Sequence, residues 1–288
     1  MSFQIITADQ RLSEKKGHKI VVCGQSGVGK TTLARTLEGS RTLFVDLEAG
    51  DSAIEGHAID VLRPQSWPEC RDLACFLGGP NPSLAEDQPY SQAHYDYISS
   101  VEGDPLKVTS KYDTLFVDSI TVAGRLCFSW CQQQPESKSD RTGKLDTRAA
   151  YGLHGREMMQ WLTHLQHIRE KNVIFVGILD ETTDDYSRKQ YSLQIEGSKT
   201  GRELPGIVDE VITMAVLTGE HGPYRGFVCQ PLNEWGYPAK DRSGRLDTLE
   251  EPHLGKLIAK MSTQMPQNGK TLQFVNPVTQ QSEETTNA

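Results

Sequence analysis

The 288-residue chain has no apolar run near the ~18 residues that a membrane-spanning helix needs, so no helical membrane span is expected. Its first residues, Met1-Ser-Phe-Gln-Ile-Ile-Thr7, lack a basic start followed by an apolar stretch, and no secretory signal is read there. Cys-x-x-Cys, His pairs at zinc-finger spacing, His-Glu-x-x-His and a nucleophile elbow are all missing. Zinc modules, zinc proteases and serine hydrolases therefore lose their usual signatures. Positive charge is not in excess either. Thirty Lys+Arg against 38 Asp+Glu leave a net charge of −8, which argues against a protein that coats nucleic acid by bulk charge. The six cysteines (23, 70, 75, 127, 131, 229) follow no metal or redox pattern and read as reduced thiols, so a cytoplasmic location is expected.

What the chain does have is a regular alternation of short apolar runs with helical stretches. Residues 19–23, 42–46, 113–118, 172–179 and 208–217 read as buried strands, with further β structure at 224–230. Helices are expected at 30–38, 67–77, 90–100, 120–133, 152–170 and 252–260. Polar loops are expected at 134–150 and, as a hairpin or mobile loop, at 181–206. This order predicts one α/β domain over residues 18–261, a mostly parallel sheet sandwiched by helices, after an N-terminal extension at 1–17. Residues 262–288 carry few apolar anchors and are expected to lie outside the core as a disordered tail.

The strongest signal is Gly24-Gln25-Ser26-Gly27-Val28-Gly29-Lys30-Thr31, followed by Thr32. It is a complete G-x-x-x-x-G-K-[ST] phosphate loop between an apolar strand and a helix. Its glycines let backbone N–H groups turn inward onto phosphates. Lys30 is placed to reach the β- and γ-phosphates, and the Thr31 hydroxyl to hold Mg²⁺. No Asn-Lys-x-Asp motif follows to read guanine, so ATP is the expected nucleotide. Asp118, ending Leu115-Phe116-Val117, is the expected second magnesium carboxylate; the alternative is a strand-end helix cap. Glu48, just past the second strand, is the candidate base that orients and activates water, with Asp46 as its competitor.

Together these residues resemble the RecA-like ATPase core. Phe44–Glu48 resembles that family's strand ending in Asp-x-Glu, and Leu115–Ser119 its magnesium strand ending Val-Asp-Ser. Residues 151–160 resemble the helix after its first DNA-binding loop, and Lys240-Asp-Arg-Ser-Gly244 a Lys-Asn-Arg-x-Gly motif. The likeness is closer still to phage and prophage single-strand annealing proteins of the Sak group. These share the phosphate loop, the Val-Asp-Ser strand and a segment like Leu204-Pro205-Gly206-Ile207-Val208-Asp209. The fourth strand departs from the pattern: Gly177-Ile178 stands where such ATPases often carry a polar γ-phosphate sensor.

The resemblance implies a P-loop ATPase that uses ATP and Mg²⁺. It further implies assembly as a homo-oligomer, filament or ring, on single-stranded DNA, to promote annealing or recombination inside a bacterial host cell. A single-strand-binding protein is a possible companion. It assigns DNA contact to Lys138, Arg141, Lys144 and Arg148 in the first loop and to Arg188, Lys189, Lys199 and Arg202 in the second, with Tyr191 available to stack on a base. It also makes Lys240 and Arg242, two apart on an extended segment, candidates to reach a neighbouring subunit's γ-phosphate. Two other classes stay open: a nucleotide or small-molecule kinase with 181–206 as its lid, and a nucleotide switch or loader acting through a protein partner.

Overall fold

The computed structural model describes residues 5–183, 185–187 and 189–263, with the side chains of residues 198 and 199 outside the description. The apolar runs become the middle of a ten-stranded sheet. Its strands are β1 (Lys19–Gly24), β2 (Thr42–Asp46), β3 (Asp60–Leu62), β4 (Thr114–Asp118), β5 (Asn172–Thr183), β6 (Lys189–Leu193), β7 (Glu210–Gly219), β8 (Gly222–Val228), β9 (Lys240–Asp241) and β10 (Leu249–Glu250). The order is β10-β8-β7-β1-β5-β4-β2-β3, with β6 added to β5 and β9 to β7. From β7 to β3 every pairing is parallel, whereas β6, β8, β9 and β10 join antiparallel. Every residue of β1, β2 and β4 is buried, as continuous apolar runs without alternation encode.

The helices are α1 (Ala8–Ser13), α2 (Trp67–Gly78), α3 (Gln92–Glu102), α4 (Pro105–Thr109), α5 (Ile120–Cys131), α6 (Thr147–Gln166), α7 (Ser198–Ile207) and α8 (Leu254–Met261), and those after α1 include helices on both faces of the sheet. Alternate residues of β1 divide between two cores. Val21 and Cys23 pack with Trp67, Cys127 and Trp161 from α2, α5 and α6, while Ile20 and Val22 pack with Leu33 and Leu254. The predicted P-loop architecture, RecA-like with hairpin additions, is thus the fold. Among the described residues no helix is long and apolar enough to cross a membrane.

Several boundaries differ from the expectation. The helix expected at 30–38 is a 3₁₀ helix, Thr31–Thr36, closed by i→i+3 bonds such as Leu33 N to Lys30 O and Leu37 N to Ala34 O. Three β-branched threonines weaken an α-helix there. Thr36 also turns its hydroxyl onto Leu33 O and accepts the Leu254 N–H, so tertiary packing against α8 fixes the tight turn. Helix α6 begins five residues earlier than expected, because Asp146 accepts the N–H groups of Arg148 and Ala149 as its N-cap. The 181–206 segment is a hairpin followed by α7, despite Gly201, Pro205 and Gly206. Leu204, 1% exposed, anchors that helix in the core. In the N-terminal extension, α1 buries nothing. Of the expected tail, residues 264–288 lie outside the described residues.

Candidate active site

β1 delivers the phosphate loop at its C-terminal end. Gly24 is required by close approach, since a Cβ there would stand 2.5 Å from Met214 O of β7. Gly29 is required by its backbone, at φ 107°, a region that side chains rarely tolerate. Val28 turns inward to the core, while Gln25, Ser26 and Gly27 face solvent, leaving their backbone open to an anion. Lys30 is 8% exposed and folds over the loop, donating from Nζ to Gly24 O and Gln25 O at 2.9 Å each. Burial lowers its pKa, while the nearby Asp118 and Glu48 carboxylates oppose that shift. Thr32 is exposed on the first turn beyond it.

β4 is two strands from β1, across β5, and ends at Asp118. Asp118 is 2% exposed, and its Oδ2 finds no hydrogen-bond partner among the described residues. Burial pushes its pKa up to about 6; Thr31 opposes this, and Glu48 and Asp46 add to it. A Cβ on Gly50 would stand 3.6 Å from both Asp118 Oδ2 and Thr31 Cγ2, so the two predicted magnesium residues lie side by side. A buried carboxylate oxygen without a partner is costly unless a cation or water completes it. Orphaned Asp118 Oδ2 and Asp46 Oδ2, with the Thr31 hydroxyl nearby, fit a hard, oxygen-seeking cation such as Mg²⁺.

Glu48 and Asp46 differ in their hydrogen bonds. Asp46, 3% exposed, accepts from Glu48 N at 3.1 Å and Gly50 N at 2.9 Å through Oδ1, and so folds the turn after β2. Glu48 projects from that turn into solvent and accepts the Ser119 hydroxyl. Ser119 is also the N-cap of α5, accepting from Val122 N. The next residue, Ala49, holds φ 55°, a strained position for alanine. Asp46 is thus the builder of the turn and Glu48 the accessible carboxylate. Ser119 thus both caps α5 and holds Glu48. Ile178 pairs with Gly24 across the strand ends and carries no polar group toward the loop.

The remaining predicted site residues lie elsewhere. Lys138, Arg141, Lys144 and Arg148 are exposed, and none forms an ion pair among the described residues. A bridge between Lys138 and Leu145 and the Ser139 N to Lys144 O bond fold 138–145 into a turn rather than an open loop. Lys189 forms an ion pair with Glu181 at 2.6 Å. Tyr191 packs against Tyr237 at 4.6 Å between centroids instead of offering a free face. Arg188 and the Lys199 side chain lie outside the described residues. Arg202 lines a cavity of about 650 Å³ with Arg125, Asp180 and Glu196. Gly197 rests on α6, where its Cβ would stand 3.5 Å from Tyr151 and 3.4 Å from His154 Nδ1. The hairpin is thereby held against the helix that the 134–146 segment leads into.

Lys240 and Arg242 sit at the opposite end of the sheet, where β9 pairs with the start of β7. Lys240 Nζ donates to Pro205 O and Val208 O, closing the C-terminal end of α7. Arg242 Nη1 donates to Asp209 Oδ1 at 2.8 Å, and Asp209 Oδ2 accepts Lys19 N at 3.0 Å. Both cations have hydrogen-bond partners in their own chain.

Comparison with known proteins places this geometry in a family. No curated protein matches the chain. Among solved structures, a KaiC-like protein from the archaeon Pyrococcus horikoshii OT3 is similar at 16% identity, over 74% of this chain and 78% of that one, with a TM-score of 0.36. A family model described as an AAA domain, AAA_24, matches residues 16–243, a span from just before β1 to just beyond β9. With the phosphate loop and the sheet that carries it inside the matched span, the chain belongs to the AAA_24 family of AAA-domain P-loop ATPases.

Proposed function

We propose that this protein hydrolyses ATP while assembled on single-stranded DNA, as a homo-oligomer that promotes strand annealing or recombination. The observation that carries the DNA reading is the set of four exposed cations, Lys138, Arg141, Lys144 and Arg148, on the segment leading into α6 and its first turn, none of them in an ion pair among the described residues. A backbone of phosphates is the natural complement of such a set, and the net charge of −8 does not oppose a local patch.

The chemistry follows from the site. Backbone N–H groups of residues 25–31 cradle the phosphates, and Lys30 exchanges its two loop carbonyls for phosphate oxygens. Thr31 and Asp118 are the residues that would hold Mg²⁺, which supplies charge neutralisation at the transferring phosphate. Glu48 orients a water and takes its proton, and the Ser119 hydroxyl holds that carboxylate in place. ATP turnover with and without single-stranded DNA, together with DNA affinity across salt concentrations, tests the reading. Reversing the four cations to Glu should flatten the salt dependence, at ~0.7 in log–log slope per lost phosphate contact. Unaltered affinity and slope would remove the DNA role.

A second reading, phosphoryl transfer to a small acceptor, has one observation in its favour. The 650 Å³ cavity reaches Thr121 in the first turn of α5 and Asp180, which lies within β5 two residues beyond Ile178, the partner of Gly24. It predicts a phosphorylated product without DNA.

A further inference from the structure

The register of β7 against β1 carries a consequence for the phosphate loop. Cys23 pairs with Thr213, so Met214 stands level with Gly24, and β7 then continues through residues 215–219 beyond the loop. β8 returns alongside it, with Met214 opposite Phe227 and Val216 opposite Arg225. Residues opposite one another in an antiparallel pair share a face, as do alternate residues along a strand. Met214, Val216, Arg225 and Phe227 therefore form one face of this overhanging hairpin. Met214 and Phe227 belong to the core beneath the loop, with Val28 and Leu33, which identifies that face as the phosphate-loop side. The other face, with Ala215 and Leu217, is closed by Trp235 and Tyr237.

Arg225 consequently rises beside the loop. A Cβ on Gly29 would stand 3.6 Å from Met214 Cε and 3.9 Å from Arg225 Nε. Arg225 is exposed, and among the described residues it has no carboxylate partner and donates no hydrogen bond. Next to it Val216, an aliphatic residue, is 58% exposed. A guanidinium beside an anion cradle, without an internal partner, is suited to take phosphate oxygens through two parallel N–H bonds.

We propose that Arg225 is a nucleotide-binding residue acting in cis: from the β7–β8 hairpin it binds the polyphosphate of the nucleotide held by its own chain's phosphate loop, with Val216 as an apolar wall beside it. This rests on the reading of residues 24–31 as a nucleotide site. Equilibrium titration of ATP, ADP and AMP into wild type, Arg225→Ala, Arg225→Lys and Lys30→Ala tests it, with melting curves to confirm folding. Loss of a charge-assisted hydrogen bond corresponds to a weakening of about tenfold to a hundredfold for ATP and ADP in Arg225→Ala. Arg225→Lys should recover part of that loss, and AMP affinity should stay as in wild type. If Arg225→Ala misfolds, Arg225→Gln replaces it as the variant without charge. ATP affinity equal to wild type in a folded Arg225 variant, with Lys30→Ala impaired, overturns the Arg225 assignment alone. Equal ATP affinity in Lys30→Ala overturns the nucleotide site on which it rests.

Discussion

The two ends of the parallel sheet carry similar residues in opposite conditions. At the C-terminal end, among the described residues, Asp118 and Asp46 each keep a buried oxygen without a partner, and Arg225 stands exposed without a carboxylate. At the N-terminal end, Asp209 is bonded to Lys19 N and Arg242, and Glu210 accepts the N–H groups of Arg242 and Ser243. Asp241 accepts from Ser243, Gly244, Leu246 and Gln230. Buried polar groups are ordinarily satisfied inside a fold, so an end that leaves them open is built to be completed by a ligand. An end that satisfies them is built to hold the chain together. Charge alone does not separate function from structure here; the state of its partners does.

The largest expected break of this contrast is Lys30→Ala. Removing the cation from the cradle should weaken ATP binding at least ~100-fold by calorimetric titration, while melting changes little. Next is Asp118→Asn, which keeps size and removes charge. Its nucleotide affinity should lose its dependence on magnesium concentration, whereas wild type retains it. At the other end, Asp209→Ala should lower stability by about 1–3 kcal/mol in denaturant unfolding, since Lys19 N and Arg242 lose their acceptor, and leave turnover per folded molecule as it was. Mixing Arg242→Ala with Glu48→Gln subunits should give no recovery of hydrolysis; recovery would return Arg242 to a role across subunits.

A further effect concerns pH. Burial, with Asp241 nearby, raises the Glu210 pKa from its ordinary 4.5 to about 8. A carboxyl whose folded pKa is raised favours the fold below its unfolded pKa, and that contribution is lost as pH climbs through the folded value. Stability should therefore fall between about pH 4.5 and pH 8, and Glu210→Gln should flatten that decline in pH-dependent melting.

Much of the C-terminal end could be read before any coordinates. The phosphate loop is contiguous, its strand is a plain apolar run, and Asp118 and Glu48 each follow such a run directly. Local sequence carries these features because their geometry is local. Arg225 was illegible for the opposite reason: it meets Gly29 only through the pairing of β7 with β1 and of β8 with β7. Helix α7 was hidden by Gly201, Pro205 and Gly206, which read as breakers, while burial of Leu204 and the Lys240 bonds to Pro205 O and Val208 O supply what propensity lacks. The spacing of Lys240 and Arg242 shows that two cations share a face but not that each has a partner in its own chain. The edge strand β3, with two of its three residues exposed, had too little pattern to register.

The central claim, that the open end of the sheet is an ATP-hydrolysing site with Glu48 as its base, is tested most directly by steady-state ATP turnover of Glu48→Gln, with ATP affinity determined on the same preparation. Affinity within a few-fold of wild type and turnover at least ~100-fold lower is the predicted result. Turnover equal to wild type with ATP still bound would contradict it.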